Sequence, residues 1–428
     1  MFRTFHGGIR FDLTGNAAKT ASIRRFDESA RLTVSMDQGG GKNTPTVAVG
    51  DRVLRYQRLG TPLTPDGLPI YSPVSGTVEA IEEAPHPFLG TCLAVILSDD
   101  KKNEERPLTP LDPDKLTPEK IIGLAHVCAI PGPIQYSDPE YKRMERMAEQ
   151  KIRTLVCGAV ECEPYTGERT RICAEYAHEV LDGLLLMMRA VGAEEGIVAL
   201  SSHSPESAEA IRRELSSRRK KGEKLPIRLA TVAAKYPAAA KLKTLFETRS
   251  WNGSTVPAGV TSPFACLSLA RALTGRPVTD VILTVSGSGV SRPNVYETPI
   301  GTPMEDLFRR CVAEDGFKSI VMGGVMNGLA LDGWQYPVLA RHNALLLLNE
   351  TTEFSRSGEC IHCNQCGKVC PEGLSPVQIC EYLLQNDVKE AENLGLRDCR
   401  LCGCCTYICP GRMELTEILK NGKGALTP

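Results

Sequence analysis

Aromatic residues, net charge and long apolar runs are all scarce in this chain of 428 residues. Phe, Trp and Tyr together make up 5% of it, which argues against a surface that stacks nucleic-acid bases. The formal net charge of −1 gives no sign of a nucleic-acid or membrane-surface partner. The longest apolar runs, at 184–188 and 344–348, are far too short to cross a bilayer. We therefore expect no nucleic-acid partner and no direct membrane span.

Cysteine, in contrast, is abundant, with seventeen residues. The N-terminus lacks the apolar core of a secretory signal, so we expect a reducing compartment with free thiols rather than disulfides. The expected location is the cytoplasm, or a peripheral position at the inner membrane that depends on a partner protein.

Two copies of one cysteine pattern lie near the C-terminal end. Each copy reads C-x2-C-x2-C-x3-C-P, which is the spacing of bacterial two-cluster ferredoxins. In that arrangement the first three thiolates of one copy and the fourth of the other copy hold one [4Fe–4S] cluster. The predicted ligands are Cys360, Cys363, Cys366 and Cys409 for cluster 1, and Cys399, Cys402, Cys405 and Cys370 for cluster 2.

The alternative for this pattern is a pair of structural zinc sites, which usually have two separated C-x2-C pairs. Two further cysteines of the region, Cys380 and Cys404, are out of phase with the repeat, and we expect them to pack around the clusters. The predicted core cysteines are Cys92, Cys128, Cys173, Cys266 and Cys311.

Changes in pattern along the chain predict a multidomain protein of mixed α+β and α/β class. The predicted parts are an N-terminal segment (1–45), a barrel-sandwich β domain of the lipoyl kind (46–110), an α/β domain (111–250), a β-grasp-like (SLBB-like) domain (251–350), a two-cluster ferredoxin-like domain (351–415) and a polar tail (416–428). The turn at 64–67 has no Lys that could be modified, so the barrel-sandwich domain is interpreted as structural rather than as a carrier.

Alternation of apolar runs defines the elements of the α/β domain. The pattern predicts strands at 126–130, 153–156, 197–200 and 227–233, a helix at 170–191, and a helix at 204–215 with Ser204 as its N-cap. A basic run at 212–221 ends the last of these helices. It is interpreted either as a solvated helix end or as a docking patch for an acidic ferredoxin or flavodoxin.

Four residues follow the second predicted strand, where open α/β sheets place ligands. Cys157 and Cys162 are candidates for a redox dithiol, and the alternative is that both are packed in the core. Glu161 and Glu163 flank Cys162. They are candidates for cofactor contacts, and the alternatives are a solvated loop or a charge at a helix N-terminus.

The succession of parts resembles the RnfC family, the C subunits of Rnf electron-transport complexes, over nearly the whole chain. The matching pieces are Phe5-His-Gly-Gly-Ile, Val49-Gly-Asp-Arg-Val, Ser72-Pro-Val-Ser-Gly-Thr-Val, Glu161-Cys-Glu-Pro-Tyr, Tyr236-Pro, Pro257-Ala-Gly, Ile300-Gly-Thr-Pro and the double cysteine pattern. The resemblance implies an α/β domain like the flavin-binding subunit of respiratory complex I. That domain would pass hydride from NADH to FMN and then electrons to the clusters, and the acidic segment 161–163 would face the cofactor.

The chain departs from this family at the expected flavin and nucleotide contacts. A glycine-rich loop of the type Gly-Leu-Gly-Gly-Ala-Gly-Phe-Pro is replaced by Ala125-His-Val-Cys-Ala-Ile-Pro-Gly-Pro, and Tyr-Pro-x-Gly-Gly-Glu-Lys by Tyr236-Pro-Ala-Ala-Ala-Lys. Side chains and prolines in place of glycines keep the backbone from a pyrophosphate, so we expect the FMN and NADH site to be degenerate. The departure is similar to the branch of electron-transfer proteins associated with D-proline reductase, in which some members carry selenocysteine.

The sequence therefore predicts an electron-transfer protein or oxidoreductase subunit rather than a stand-alone enzyme. Two [4Fe–4S] clusters would relay electrons to a redox partner, which would be a soluble reductase such as D-proline reductase, a ferredoxin, or Rnf membrane subunits. One alternative is a working NADH:FMN-oxidising subunit of a membrane ion-translocating Rnf complex. The other is an iron–sulfur interaction scaffold whose clusters are structural.

Overall fold

The computed structural model describes residues 2–12, 17–132, 138–249, 255–312, 316–350 and 359–426. The strands are β1 (Phe2–Arg3), β2 (Ile23–Arg25), β3 (Arg31–Ser35), β4 (Asn43–Pro45), β5 (Arg52–Val53), β6 (Arg58–Pro62), β7 (Ile70–Tyr71), β8 (Gly76–His86), β9 (Gly90–Asp99), β10 (Thr154–Ala159), β11 (Glu195–Ser201), β12 (Ile227–Val232), β13 (Thr248–Arg249), β14 (Thr255–Val256), β15 (Gly259–Thr261), β16 (Asp280–Ser286), β17 (Asn294–Pro299), β18 (Ser319–Met322), β19 (Leu329–Leu331) and β20 (Ala344–Leu348). The helices are α1 (Pro118–Val127), α2 (Glu140–Glu149), α3 (Glu168–Glu175), α4 (Ala177–Val191), α5 (Pro205–Lys220), α6 (Ala238–Leu245), α7 (Pro263–Ala272), α8 (Met304–Arg310), α9 (Gln365–Val369), α10 (Pro376–Leu384), α11 (Val388–Asn393), α12 (Cys404–Ile408) and α13 (Leu415–Gly424).

The barrel-sandwich domain consists of two antiparallel sheets with strand orders β3-β9-β8-β5 and β4-β6-β7. Alternate residues of the strands point inward and form an apolar core that includes Leu32, Val34, Leu59 and Val95. The sheets begin at β3, earlier than the predicted boundary at residue 46, because β3 and β4 pair with β9 and β6.

The α/β domain is built on a parallel sheet with strand order β1-β12-β11-β10-β15. Every residue of β10 is buried, as expected for a parallel strand covered on both faces. The edge strands come from outside the predicted range 111–250, since β1 belongs to the N-terminal segment and β15 follows residue 251. The two faces of the sheet carry separate apolar clusters, with Leu155 and Cys157 in one and Val156 and Val160 in the other.

Two predictions for this domain are wrong. Residues 126–127 of the predicted strand 126–130 are the last two residues of helix α1. The helix itself is started by the Thr117 hydroxyl, which caps its first turn, and by Pro118 at its first position. The predicted helix 170–191 is two helices, α3 and α4, which meet at Tyr176 with a non-helical ψ of 33°. The predicted strands at 153–156, 197–200 and 227–233 correspond to β10, β11 and β12, and Ser204 is the residue before α5.

A mixed sheet with strand order β19-β18-β20-β16-β17-β2 follows the α/β domain. It packs against α8 through a core that includes Leu283, Phe308 and Leu345. This unit begins near β16 rather than at residue 251, because β15 and α7 join the α/β domain. Its assignment as a β-grasp fold stays a prediction.

Short helices α9 to α13 form the C-terminal domain around a small core that includes Ile379 and Leu396. The predicted polar tail from residue 416 is wrong, because α13 packs Leu415 and Leu419 into that core. Among the helices in the described ranges, none is long and apolar enough to span a membrane.

Candidate redox site

The first cavity of the C-terminal domain is lined by the four cysteines assigned to cluster 1. Cys360, Cys363, Cys366 and Cys409 surround about 370 Å³ together with apolar side chains that include Met413. Left-handed backbone at His362 (φ 53°) and Asn364 (φ 56°) turns the chain between successive cysteines. The amide of His362 donates a hydrogen bond to the Cys360 sulfur at 3.4 Å.

The second cavity is lined by the four cysteines assigned to cluster 2. Cys370, Cys399, Cys402 and Cys405 surround about 420 Å³, and Cys404 lies in the same wall. Amide hydrogens again point at sulfur, with Leu374 N 3.4 Å from the Cys370 sulfur and Leu401 N 3.5 Å from that of Cys399. Each cavity thus combines three cysteines of one copy with the fourth of the other.

The chemistry of these cavities fits an iron–sulfur cluster better than zinc. Thiolates around a zinc ion must converge to about 2.3 Å from one point. Structural zinc sites usually have two separated C-x2-C pairs, whereas each cavity combines three cysteines of one copy with the fourth of the other. A cubane spreads its four thiolates over four irons, and amide donors to sulfur together with an apolar lining suit it.

The two cavities differ in their surroundings, and the second is joined to the α/β domain by hydrogen bonds. There the Tyr236 hydroxyl donates to the Cys402 carbonyl at 2.7 Å, and the Gly8 amide to the Val369 carbonyl at 2.8 Å. The first cavity lies at the surface, where Cys363 is exposed and Ile361 is 67% exposed.

A third contact across this boundary is a partly buried group of one carboxylate and two cations. Glu372 accepts hydrogen bonds from Lys241 of α6, at 2.9 Å, and from Arg400. Burial favours the neutral acid, yet these two cations hold the pKa of Glu372 below its usual value. Sequence analysis missed this charged group and the role of the Tyr236 hydroxyl. A signal was present, because Glu372 directly follows the first cysteine motif and Arg400 directly follows the predicted ligand Cys399.

A pocket of about 430 Å³ lies beyond the end of β10, next to the second cavity. It is lined by the predicted residues Glu161, Cys162 and Glu163, and by others that include Arg169, Tyr236, Asn327 and Asn343. The Glu161 carboxylate accepts from the Thr166 hydroxyl at 2.8 Å and from the Arg169 amide at 2.9 Å, in the first turn of α3. Glu161 is therefore buried as a helix N-terminal acceptor, and its interpretation as part of a solvated loop is wrong.

Glu163 lies on the opposite wall of this pocket, against the mixed sheet. Its carboxylate accepts from the Met326 amide at 2.7 Å, and burial raises its pKa. The Gly324 backbone lies directly on this carboxylate, because a Cβ at that position would be 2.2 Å from the Glu163 oxygen. Glu163 therefore links the α/β domain to the mixed sheet.

The two candidate thiols of the α/β domain do not come together. Cys157 is buried in the middle of β10 among Cys173 and Cys266, on one face of the sheet. Cys162 belongs to the cluster on the other face, and burial raises its pKa to about 12. The structure therefore does not bring the two thiols of the redox dithiol hypothesis together, and both are buried, as are the five predicted core cysteines.

The segment that replaces the glycine-rich loop does not fit a pyrophosphate. Ala129 keeps the left-handed backbone of a glycine position (φ 56°), but its amide donates to the His126 carbonyl and that of Ile130 to the Ala125 carbonyl. Pro131 has no N–H, and Ile130 is fully buried. No amide of 129–131 is therefore left for a phosphate, while 133–137 lie outside the described residues. In the second segment that departs from the family, Tyr236-Pro-Ala-Ala-Ala-Lys, Ala238 is the first residue of helix α6.

Two family models match the chain. Residues 3–102 match the RnfC barrel sandwich hybrid domain, and residues 135–265 match the Nuo51 FMN-binding domain. The second match suggests flavin chemistry for this part of the fold, whereas the amides of 129–131 are not available to bind a flavin phosphate.

Several curated proteins are similar to the chain along most of its length. The C subunit of the Na⁺-translocating ferredoxin:NAD⁺ oxidoreductase complex of Acetobacterium woodii is 27% identical, covering 92% of this chain and 90% of the relative. The C subunit of the ion-translocating oxidoreductase complex of Rhodobacter capsulatus is 28% identical, covering 99% and 83%. The equivalent protein of Vibrio cholerae is 28% identical, and the match covers 92% of this chain but 52% of that relative. An NAD⁺-reducing [NiFe]-hydrogenase structure aligns with a TM-score of 0.48 at 15% identity, over 72% of this chain and 60% of that one.

The D-proline reductase branch stays a prediction, because the relatives above are C subunits of ion-translocating complexes. Residues 3–102 thus resemble the RnfC barrel sandwich hybrid domain, and the chain is similar to C subunits of ion-translocating complexes over most of its length.

Proposed function

We propose that this chain is an electron-transfer subunit that relays single electrons through two [4Fe–4S] clusters to a partner redox protein. The observation that carries the proposal is the pair of cavities, each lined by three cysteines of one motif copy and the fourth of the other. When bound, such clusters accept and donate one electron at a time. The chain would hold them through eight thiolates, with apolar side chains that would exclude water and amide hydrogens that point at the sulfurs.

The order of the relay follows from the surroundings of the cavities. The second cavity is linked to the α/β domain through Tyr236 and Glu372, whereas the first has an exposed cysteine, Cys363. Cluster 2 would therefore exchange electrons with the α/β side, and cluster 1 with the partner that docks outside. For the partner we propose other subunits of an Rnf-like complex, a ferredoxin, or a soluble reductase such as D-proline reductase.

In this proposal the α/β domain no longer holds FMN and NADH in the manner of the family. The amides of Ala129 and Ile130 are already bonded within the chain, and Pro131 has none. A second candidate function is an NADH:FMN-oxidising subunit of an ion-translocating complex, which is favoured by the match of residues 135–265 to an FMN-binding domain.

Quantitation of iron, sulfide and flavin in anaerobically purified protein, with EPR after reduction, tests the proposal. We expect about eight irons per chain, two interacting four-iron signals and no stoichiometric flavin. Dithionite should reduce the clusters, and NADH alone should not. Stoichiometric FMN together with cluster reduction by NADH would establish the second function instead.

The same preparation tests the scaffold alternative. Clusters that cycle reversibly in a redox titration support a relay, whereas clusters that never cycle at physiological potentials indicate a structural role. Protein without iron after anaerobic reconstitution would overturn the proposal as a whole.

A further inference from the structure

Tyr236 stands at the junction between the α/β domain and the second cavity, and it is only 1% exposed. Its backbone pairs with Ile9, each amide donating to the other carbonyl at 2.8 Å. Its hydroxyl reaches across the domain boundary to the carbonyl of Cys402, 166 residues further along the chain, at 2.7 Å. The ring and the hydroxyl are thus both fixed relative to a predicted cluster ligand.

On the side of the second cavity the surroundings of Tyr236 are apolar, while its other side faces the pocket that contains Glu163 and Arg169. Tyr236 packs in one cluster with Ile9, Cys162 and Cys404, and Cys404 also lines the second cavity. A hydrogen bond in such a low-dielectric environment is stronger electrostatically than one in water. The field of the Tyr236 hydroxyl at the second cavity is therefore poorly screened.

The first motif copy provides an internal comparison. Cys402 is the second cysteine of its copy, and the equivalent cysteine of the first copy is Cys363. Cys363 is exposed, whereas Cys402 is partly buried and its carbonyl accepts from Tyr236. Two cavities with the same ligand pattern therefore have different environments at equivalent ligands. Hydrogen bonding and solvent exposure are two factors that set cluster potentials.

We propose that Tyr236 is a positioning residue that fixes Cys402 and raises the reduction potential of cluster 2 relative to a Cys402 without this hydrogen bond. The inference rests on the proposed function, since it requires both clusters. The O–H bond points toward Cys402, so its positive end is nearer to the cluster than its negative end. Reduction adds negative charge to the cluster, and this dipole stabilises that charge.

Tyr236→Phe tests the inference, because it removes the hydroxyl and keeps the ring. The control is Tyr407→Phe, a half-exposed tyrosine of α12 that packs edge-on against Phe11. Both variants and the native protein are titrated anaerobically, with each cluster followed by EPR. In Tyr236→Phe we expect one midpoint potential to fall, the other to stay and the iron content to stay at the native value. Tyr407→Phe should titrate like the native protein.

Cys363→Ser shows which cluster gives the shifted EPR signal. It alters a ligand of cluster 1, so the signal that depends on Tyr236 should remain if it comes from cluster 2. As a second measurement, incorporation of 3-fluorotyrosine keeps every hydroxyl but makes it a stronger donor, so it should raise the same potential. This experiment replaces the first if Tyr236→Phe does not fold.

Unchanged potentials in both experiments, or equal shifts of both clusters, overturn the inference and leave the relay intact. Absence of clusters from the native protein contradicts the relay itself. The two failures are therefore distinguishable.

Discussion

Nine cysteines of the C-terminal domain lie at or beside the two cavities, yet two clusters need only eight ligands. The neighbours Cys404 and Cys405 both line the second cavity, and spacing assigns Cys405 as the ligand. Cys404 is 1% exposed and belongs to the apolar cluster of the α/β boundary, together with Tyr236. The Cys405 sulfur instead belongs to the core of the C-terminal domain and lies 3.7 Å from the Thr416 hydroxyl.

We predict that Cys405→Ala loses one cluster and that Cys404→Ala keeps both. The first variant leaves a cubane with three thiolates, so the iron content should fall from about eight to about four per chain. The second variant removes only a packed thiol group, so the iron content should stay at about eight. Iron and sulfide assays on anaerobically reconstituted protein measure both. Equal iron loss in the two variants would mean that Cys404 is a ligand.

At this scale the sequence predicts what depends on local spacing and misses what depends on distant packing. The eight cysteines follow from the short reach between neighbouring ligands of one cubane. The contact between Tyr236 and Cys402 joins positions 166 apart, and no local pattern indicates it. The sequence pairs Cys157 with Cys162 because both stand near one strand end, but Cys157 belongs to the apolar cluster on one face of the sheet and Cys162 to the cluster on the other.

Helix α5 illustrates how a basic run can be partly internal. From sequence alone, the run 212–221 indicates a solvated helix end or a docking patch. Arg218 is buried, however, and its guanidinium bonds to Asp182 at 2.6 Å and to Glu214 at 2.7 Å, so it ties α5 to α4. Arg213 is exposed. A docking patch in this run would therefore lack its central arginine.

We predict that Arg218→Ala destabilises the protein by about 1–3 kcal/mol, whereas Arg213→Ala changes stability by less than about 0.5 kcal/mol. Loss of Arg218 removes the partner of two carboxylates and the packing of its own stem. The carboxylates of Asp182 and Glu214 are partly exposed and can regain water, which limits the cost. Urea midpoints followed by circular dichroism compare the variants. Equal midpoints would show that the arginine network adds nothing to stability.

Elements with a clear period are predictable, and those defined by capping or context are not. Strands β10, β11 and β12 are largely apolar, which is typical of buried parallel strands. Sequence analysis misses helix α1 because its C-terminal part resembles a strand, while its start depends on the hydroxyl of Thr117. The break at Tyr176 escapes a periodicity analysis, because the apolar face continues across it.

On the scale of the whole molecule, the N-terminal residues connect three domains. Strand β1 pairs with β12 of the α/β sheet, β2 with β17 of the mixed sheet, and β3 with β9 of the barrel-sandwich domain. The loop after β1 also bonds to the cysteine domain, through Gly8 and Val369. The predicted boundary at residue 45 therefore divides the barrel-sandwich domain, and a segment that serves several sheets cannot be assigned from its own pattern.

The same arrangement determines which cluster is more accessible to solvent reagents. Cluster 1 would lie behind Cys363 and Ile361, which are exposed, whereas cluster 2 would lie under the α/β domain, held there by Tyr236 and Glu372. We predict that mild oxidation with a chelator present releases iron in two phases. The first phase should remove about four irons and abolish the EPR signal of cluster 1 alone.

Glu372→Ala should bring the second phase closer to the first, because it removes the bond to Lys241 and loosens the cover over cluster 2. Glu417→Ala is the matched control, since Glu417 is exposed on α13 and its ion-pair partner, Lys420, lies on the same helix. Iron release followed by chelator absorbance, with EPR samples at intervals, separates the phases. If cluster 2 were lost first in the native protein, the order of the relay would be reversed: the α/β side would be the accessible end, and the partner surface would have to be sought near Tyr236 rather than near Cys363.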